Sequence, residues 1–437
     1  MNILVLDSGG LFTALANSLS MGGKHKVYYY TIWAGDAFPK LQDFAPGTGY
    51  DYLIKVKYLK IDLKWKQDAI YTKDNEKIDL VVNFDVGYND EVYDIKNRYP
   101  ELSVVGSGLG VVLEDDRVGL KKWCKALGLD LNPISKEGYI LVKGIDALED
   151  YCKKNPDTYA KIDIFRQSME TLHLTTPEKE LKKRTFIELR KEFGRVFEQI
   201  IPFMMEDEID SKAEMGFDGW HIPRFGYGNK CFAGYEYDKR HYLTRVWDYE
   251  DLPKPIFETM DAFIPVLEKM DYRGYLSTEE KIMQDGRHLL IDWCARLLNP
   301  GSALYPYAFG DQWVDFNYSM GKKEYYELDF KYKYYGALPL YSKEGKEDYI
   351  WLDVNPKYKE NVRFLGVCSD GNDNYSIKGK EGMACIVAGD NKWENLIDKL
   401  IELAKGVDYS GKEQNQIDDI KKITTMIEAG NKLGIEF

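Results

Sequence analysis

The sequence predicts an α/β protein of several domains: an N-terminal doubly wound parallel sheet, a central region of mixed sheets, and a small α+β unit at the C-terminal end. Three observations carry this reading. Apolar strand-like runs alternate with helical spacing over the first hundred residues. An Asp-Gly turn signal sits between two alternating runs at 277–296. Past about residue 330 the pattern changes to short strands closed by helices. A chain of 437 residues exceeds what one core holds. The expected divisions are 1–110, 111–330 with a lid subdomain at about 130–205, and 331–437.

The first run, Asn2–Asp7, is continuously apolar, as a strand buried on both faces must be. Ser8-Gly9-Gly10 follows as a tight turn, then helical spacing over Leu11–Leu19 and further strands at His25–Thr31, Lys77–Asn83 and Leu102–Gly106. The Gly-Gly turn lacks the full GxGxxG of a dinucleotide fold. A helix is expected from about Glu114 to Gly128, with Leu113, Val118, Trp123 and Leu127 toward a core and Gly128 near its C-cap. Tyr159–Phe165 and Ile200–Met205 read as strands, Pro177–Gln199 as a charged helical stretch, and Pro255–Met270 as the helix leading into the hairpin. The closing strands are Tyr349–Asp353, Val362–Val367 and Gly382–Ala388, followed by helices at Trp393–Ala404 and near Gln416–Gly430.

Bulk composition excludes several function classes. A net charge of −13 argues against non-specific binding to a nucleic-acid backbone. No stretch approaches the ~20 apolar residues of a membrane span, and MNILVLDSGG reads as a strand rather than a signal peptide. Six cysteines without CxxC spacing and five histidines without HxxxH spacing give no zinc or disulfide framework; a cytoplasmic location is expected.

The hairpin carries the chemistry. In STEEKIMQDGRHLLIDWCAR, a two-residue type I′ turn at Asp285-Gly286 pairs Gln284 with Arg287 and sets Glu279 opposite Asp292. Strand alternation then puts Ser277 opposite Cys294 and Tyr275 opposite Arg296 on the same face. Like charges facing across a sheet repel, so the arrangement suggests a cation between the two acids.

In motif and order the chain resembles the ATP-grasp ligases, phosphoribosylamine–glycine ligase in particular. The resemblance rests on ILVLDSGG, on the run Val104–Pro133 containing LEDDR, on YAKID with Lys161, on IIPFMMEDEID, on the hairpin acids with an arginine four residues on, and on Gly382–Leu400. It implies a nucleotide held between two sheets, with Mg²⁺ (Mn²⁺ as the alternative ion) on Glu279 and Asp292. ATP is expected at Arg117, Lys161, the main chain around Met204 and Met205, and one of Glu206, Glu208 or Glu214 at the ribose. Arg296 would hold the transferred phosphate or acyl phosphate, and Gly9, Gly10, Asn299 and Gly301 lie on the substrate side.

The implied reaction joins a carboxylate to an amine through an acyl phosphate, as in purine biosynthesis, by a monomer or homodimer. The partners are then small-molecule amine and carboxylate substrates, with no nucleic acid and no membrane. Four departures from the family pattern stand out. Asp292 replaces a glutamate; Cys294 replaces an asparagine, and a thiol is a poor Mg²⁺ ligand. The glycine-rich lid is replaced by IDIFRQSMETLHL, where Arg166 and His173 are the alternative phosphate contacts, and NFDVGYNDE replaces a Gly-Pro-Glu motif. They give a second reading, an ATP-grasp-fold protein that binds a nucleotide or metabolite without catalysis.

Overall fold

The computed structural model describes residues 1–8, 12–31, 52–163, 171–237, 240–298, 301–365, 367–369, 374–376 and 382–437. The N-terminal sheet contains β1 (Asn2–Leu6), β2 (Lys26–Tyr30), β3 (Leu53–Val56), β6 (Leu80–Asn83) and β7 (Ser103–Val105). All its pairs are parallel, in the order β3-β2-β1-β6-β7. Ile3 to Leu6 and Leu80 to Val82 are fully buried, as continuous apolar runs in a two-sided sheet must be. A small ribbon, β4 (Leu63–Trp65) with β5 (Ile70–Thr72), stands beside it.

The second sheet is antiparallel and four-stranded: β8 (Ile140–Lys143), β9 (Thr158–Ile162), β10 (Thr171–Leu174) and β11 (Pro202–Asp207), in the order β10-β9-β11-β8. The helical stretch Pro177–Gln199 is two helices here, Pro177–Lys183 and Thr185–Phe197, broken at Arg184 with φ +60°. The helix expected from Glu114 is likewise divided at Asp116, whose side chain accepts from the Gly119 N–H and caps the helix Arg117–Ala126.

The third sheet is the largest. It takes β12 (Ala213–His221), β13 (Lys230–Tyr237), β14 (His241–Asp248), β15 (Gly274–Ile282), β16 (His288–Cys294), β17 (Tyr334–Tyr341), β19 (Val362–Phe364) and β22 (Gly382–Asp390). Its order is β16-β15-β12-β13-β14-β17-β22-β19, antiparallel throughout, so one sheet runs through residues on both sides of position 330. The strands β18 (Trp351–Val354), β20 (Val367–Ser369), β21 (Asn374–Ser376) and β23 (Val407–Tyr409) form a separate small sheet.

Helices Lys254–Lys269, Trp393–Lys405 and Lys422–Lys432 cover one face of the large sheet. Its other face meets the N-terminal domain through an aromatic core. Phe84 stacks on Trp313 with centroids 5.7 Å apart, and Trp220 meets Phe316 edge-on at 5.0 Å. Backbone bonds reinforce that junction: Gly106 N–H donates to Arg273 O at 2.6 Å, and Leu297 N–H to Phe84 O at 3.2 Å. The second contact brings the carboxyl end of β6 to the end of β16.

Candidate active site between two sheets

The hairpin β15–β16 faces Glu279 to Asp292, Thr278 to Trp293 and Ser277 to Cys294, the pairs expected from the sequence. The turn that was to set this register is different. Met283 N–H donates to Arg287 O at 2.9 Å and Gly286 N–H to Met283 O at 3.0 Å, so Gln284-Asp285-Gly286 is a three-residue loop with Gly286 at φ +85°. Beside the loop Ile282 pairs with His288 and Glu280 with Leu290, one residue out of the expected register. A bulge between Glu279 and Glu280 absorbs Ile291 as an extra residue and restores the register at the acids.

The bulge has a chemical use. The Ile291 carbonyl accepts from Lys161 Nζ at 2.7 Å, and the Leu290 carbonyl from Lys121 Nζ at 2.9 Å. The same two ammonium groups grip Glu206, Lys121 at 2.8 Å and Lys161 at 2.9 Å. Burial pushes the Glu206 carboxyl upward, but the adjacent Lys121 and Lys161 outweigh it and hold the group at about 2. Glu206 is therefore not available to ribose hydroxyls. Lys121, one helical turn beyond Arg117, was missed in the sequence; its i+4 position on the helix face was the available signal.

Arg117 is buried, donates to the Ile162 carbonyl at 2.6 Å, and lies 4.0 Å from Asp292. Main-chain groups of Phe203 to Met205 pair with β8 on one side and β9 on the other. Those groups are spent in the ladder, so the adenine edge cannot meet them at Met204 and Met205. Glu208 is half-exposed, 3.9 Å from His173, and His173 stacks on Tyr159 with centroids 4.6 Å apart. Arg166, Gly9, Gly10 and Asn299 lie outside the described residues; Gly301 is buried, packed near Leu298 and Tyr242.

Glu214 joins the hairpin acids rather than standing apart. Burial, the Glu214 carboxyl group hydrogen-bonded to it, and the nearby Asp292 and Glu236 together raise Glu279 well above the carboxylate range. Glu279, Asp292 and Glu214 form the wall shared by two cavities. The larger, about 280 Å³, opens between the second sheet and the large sheet and is lined by Asn132, Tyr159, Lys161, Glu206, Ile209 and Lys281 among others. The smaller, about 170 Å³, lies on the inner face of the large sheet beside Asp218, Tyr242, Ser277, Cys294 and Arg296. Gly216 and Gly234 face each other on β12 and β13 in its floor. Cys294 is half-buried and lines this cavity.

Arg296 is held at the far wall. Its Nε donates to Glu114 at 3.2 Å, and the other Glu114 oxygen accepts from the Ala295 N–H at 2.6 Å. Burial disfavours the guanidinium charge, and Glu114 more than restores it. Asp85, hydrogen-bonded by Ser8, adds a further negative charge from the N-terminal domain. Among the described residues no three His, Cys, Asp or Glu side chains gather into a metal cage. The donor set is nevertheless suited to Mg²⁺: facing carboxylates, one of them raised by the acids around it, give oxygen ligands to an ion that completes its shell with phosphates and water.

No protein-family model matches the sequence, nor does any curated protein. Solved structures do. Phosphoribosylamine–glycine ligase from Thermotoga maritima superposes with a TM-score of 0.65 at 16% identity, over 94% of this chain and 98% of that one. The biotin carboxylase domain of 2-oxoglutarate carboxylase from Hydrogenobacter thermophilus, solved with MgADP, ADP and bicarbonate, gives 0.62 at 12% identity, over 99% and 98%. N5-carboxyaminoimidazole ribonucleotide synthetase from Thermus thermophilus gives 0.54 at 14%, over 92% and 98%. With a parallel N-terminal sheet, an antiparallel four-stranded second sheet and an acid-bearing hairpin in the large sheet, the chain has the ATP-grasp fold.

Proposed function

We propose that this protein is an ATP-dependent ligase that joins a carboxylate to an amine through an acyl phosphate. The observation that carries the reading is the acid wall: Glu279 faces Asp292, with Glu214 hydrogen-bonded to Glu279, between the two cavities. The larger cavity takes the nucleotide. Lys161 faces it from the second sheet, and the connection 208–212, whose Ile209 lines it, offers main-chain groups to adenine where the β11 ladder has ended. Mg²⁺ on Glu279 and Asp292 would neutralise phosphate charge during transfer. Arg117, next to Asp292, and Arg296, across the smaller cavity, bring positive charge to either side of the wall. Phosphoryl transfer asks mainly for such positioning and neutralisation.

Cys294 favours a second reading, nucleotide binding without turnover, because it puts a soft thiol on the cavity wall where a hard oxygen donor would serve better. Thermal unfolding with Mg²⁺, with ATP and with both, on wild type and on Glu279→Gln/Asp292→Asn, tests the site. A Mg²⁺-ATP shift in the wild type that the double variant loses is expected. An equal shift in both would remove the metal from the hairpin. ADP release across a panel of amines and acids then separates the ligase from the inert binder.

A further inference from the structure

We propose that His288 is a positioning residue: by bonding Glu280 across the hairpin it locks the bulge at Ile291 and so sets the acids on the opposite face. The lock stands on the hairpin itself; its consequence for Mg²⁺-nucleotide rests on the ligase reading above. The register shows why the contact matters. With a two-residue turn, Glu280 would oppose Ile291 and His288 would oppose Met283. Alternation would then put His288 on the face of Glu279, away from Glu280. In the observed hairpin Ile282 pairs with His288 and Glu280 with Leu290, which brings His288 and Glu280 to one face. Their bond therefore exists only when the bulge does.

The contact is built as a clamp. His288 Nδ1 lies 2.9 Å from Glu280 Oε2, and its Nε2 lies 3.2 Å from Glu258 Oε2. An ionised carboxylate only accepts, so the ring carries a proton on each nitrogen and ties the hairpin to helix Lys254–Lys269. Thr259, from the same helix, donates to Glu280 at 3.0 Å. Burial alone would lower the imidazolium, but Glu280 and then Glu258 outweigh it and raise the group. Burial likewise raises Glu280, against His288 and Thr259, and both shifts keep a proton between the pair. On the main chain the bulge presents two carbonyls, Leu290 to Lys121 and Ile291 to Lys161. Losing the extra residue would redirect both, and with them the Lys161 side chain that lines the larger cavity. Anchoring Glu280 on one face also fixes the rotation of the strand, which aims Glu279 from the other. His288 lines neither cavity and acts through Glu280 and the bulge.

The test compares two double variants of the full chain with wild type, with folding confirmed by circular dichroism. The first, Glu280→Gln/His288→Gln, keeps a neutral bond across the bulge. The second, Glu280→Gln/His288→Leu, removes the bond without leaving a buried charge. Amide hydrogen exchange is read over 277–294, with β13 and β14 as the reference, and ATP affinity by calorimetry with and without Mg²⁺. Wild type and the first variant are expected to share slow hairpin exchange and the gain that Mg²⁺ gives to ATP affinity. In the second variant the hairpin should exchange faster while the reference strands do not change. Its Mg²⁺ gain should shrink about tenfold or more, as when partners behind metal ligands are removed. Wild-type behaviour of the second variant in either readout, a rise in exchange that includes the reference strands, or equal loss in both variants overturns the proposal. If wild type itself shows no Mg²⁺ gain, the metal reading fails, and the exchange comparison alone decides the lock.

Discussion

Asp218 and Glu206 are two buried acids with opposite consequences for stability. Asp218 rises from 3.8 to about 6 on burial, so the folded state is penalised where the group is charged. That penalty is absent below pH about 4, grows up to about 6 and is complete above it. Asp218→Asn should therefore stabilise the free protein by on the order of 2–3 kcal/mol at pH 8, a gain that vanishes below pH 4; chemical unfolding across that range checks it. Glu206 runs the other way: its carboxyl falls from 4.5 to about 2 because two lysines face it. Its contribution is present above pH 4.5 and is lost as pH falls toward 2. Glu206→Gln leaves two buried ammonium groups without their counter-ion and should cost about 3–5 kcal/mol at pH 7 in urea unfolding, with shallower acid unfolding. Of these residues the sequence named Glu206 and Lys161 but not their mutual pairing. Nothing in a strand-end lysine says that a glutamate 45 positions on will neutralise it.

At the scale of the hairpin, the acids pair as the two-residue turn predicted, but a three-residue loop and a compensating bulge produce that register. Gly286 lies at φ +85° with open space around an added Cβ, so Gly286→Ala meets backbone strain alone. A loss of about 1 kcal/mol in stability, with Mg²⁺-nucleotide binding unchanged, is expected because the bulge at Ile291 sets the acid register. Gly216→Ala differs: its Cβ would collide with the Thr278 carbonyl oxygen, next to Glu279. That substitution should weaken Mg²⁺-nucleotide binding as well as stability, read in the same titration. The neighbouring acids Glu279 and Glu280 show alternation at work. The first faces the cavities; the second points into the packed face, where His288 at 2.9 Å and Thr259 at 3.0 Å receive it.

For the whole molecule, three sheets converge on one place. The second sheet delivers Lys161, the large sheet delivers the acids, and the N-terminal domain sets Asp85 near Arg296 through the Leu297–Phe84 bond. A ligand that needs groups from several sheets stabilises only the assembled state. Mg²⁺-ATP at 100 times its dissociation constant should add about 2.7 kcal/mol to unfolding of the wild type and little to that of Glu279→Gln/Asp292→Asn. Equal gains in both proteins would show binding away from the acid wall.

The sequence by itself determined the parallel N-terminal sheet, because continuous apolar runs separated by helical spacing have few other solutions. Its hairpin reading also placed Glu279 opposite Asp292, a pairing that holds because the bulge at Ile291 offsets the longer loop. Only the tertiary structure decided the rest. Lys121 and Lys161 close on Glu206, Glu114 holds Arg296 from 182 positions away, the β11 ladder consumes the main chain at Met204 and Met205, and Tyr242 donates to the buried Asp218. The physical reason is the same in each case. Burial and ion pairing depend on which distant elements pack together, and no local period in the chain records that.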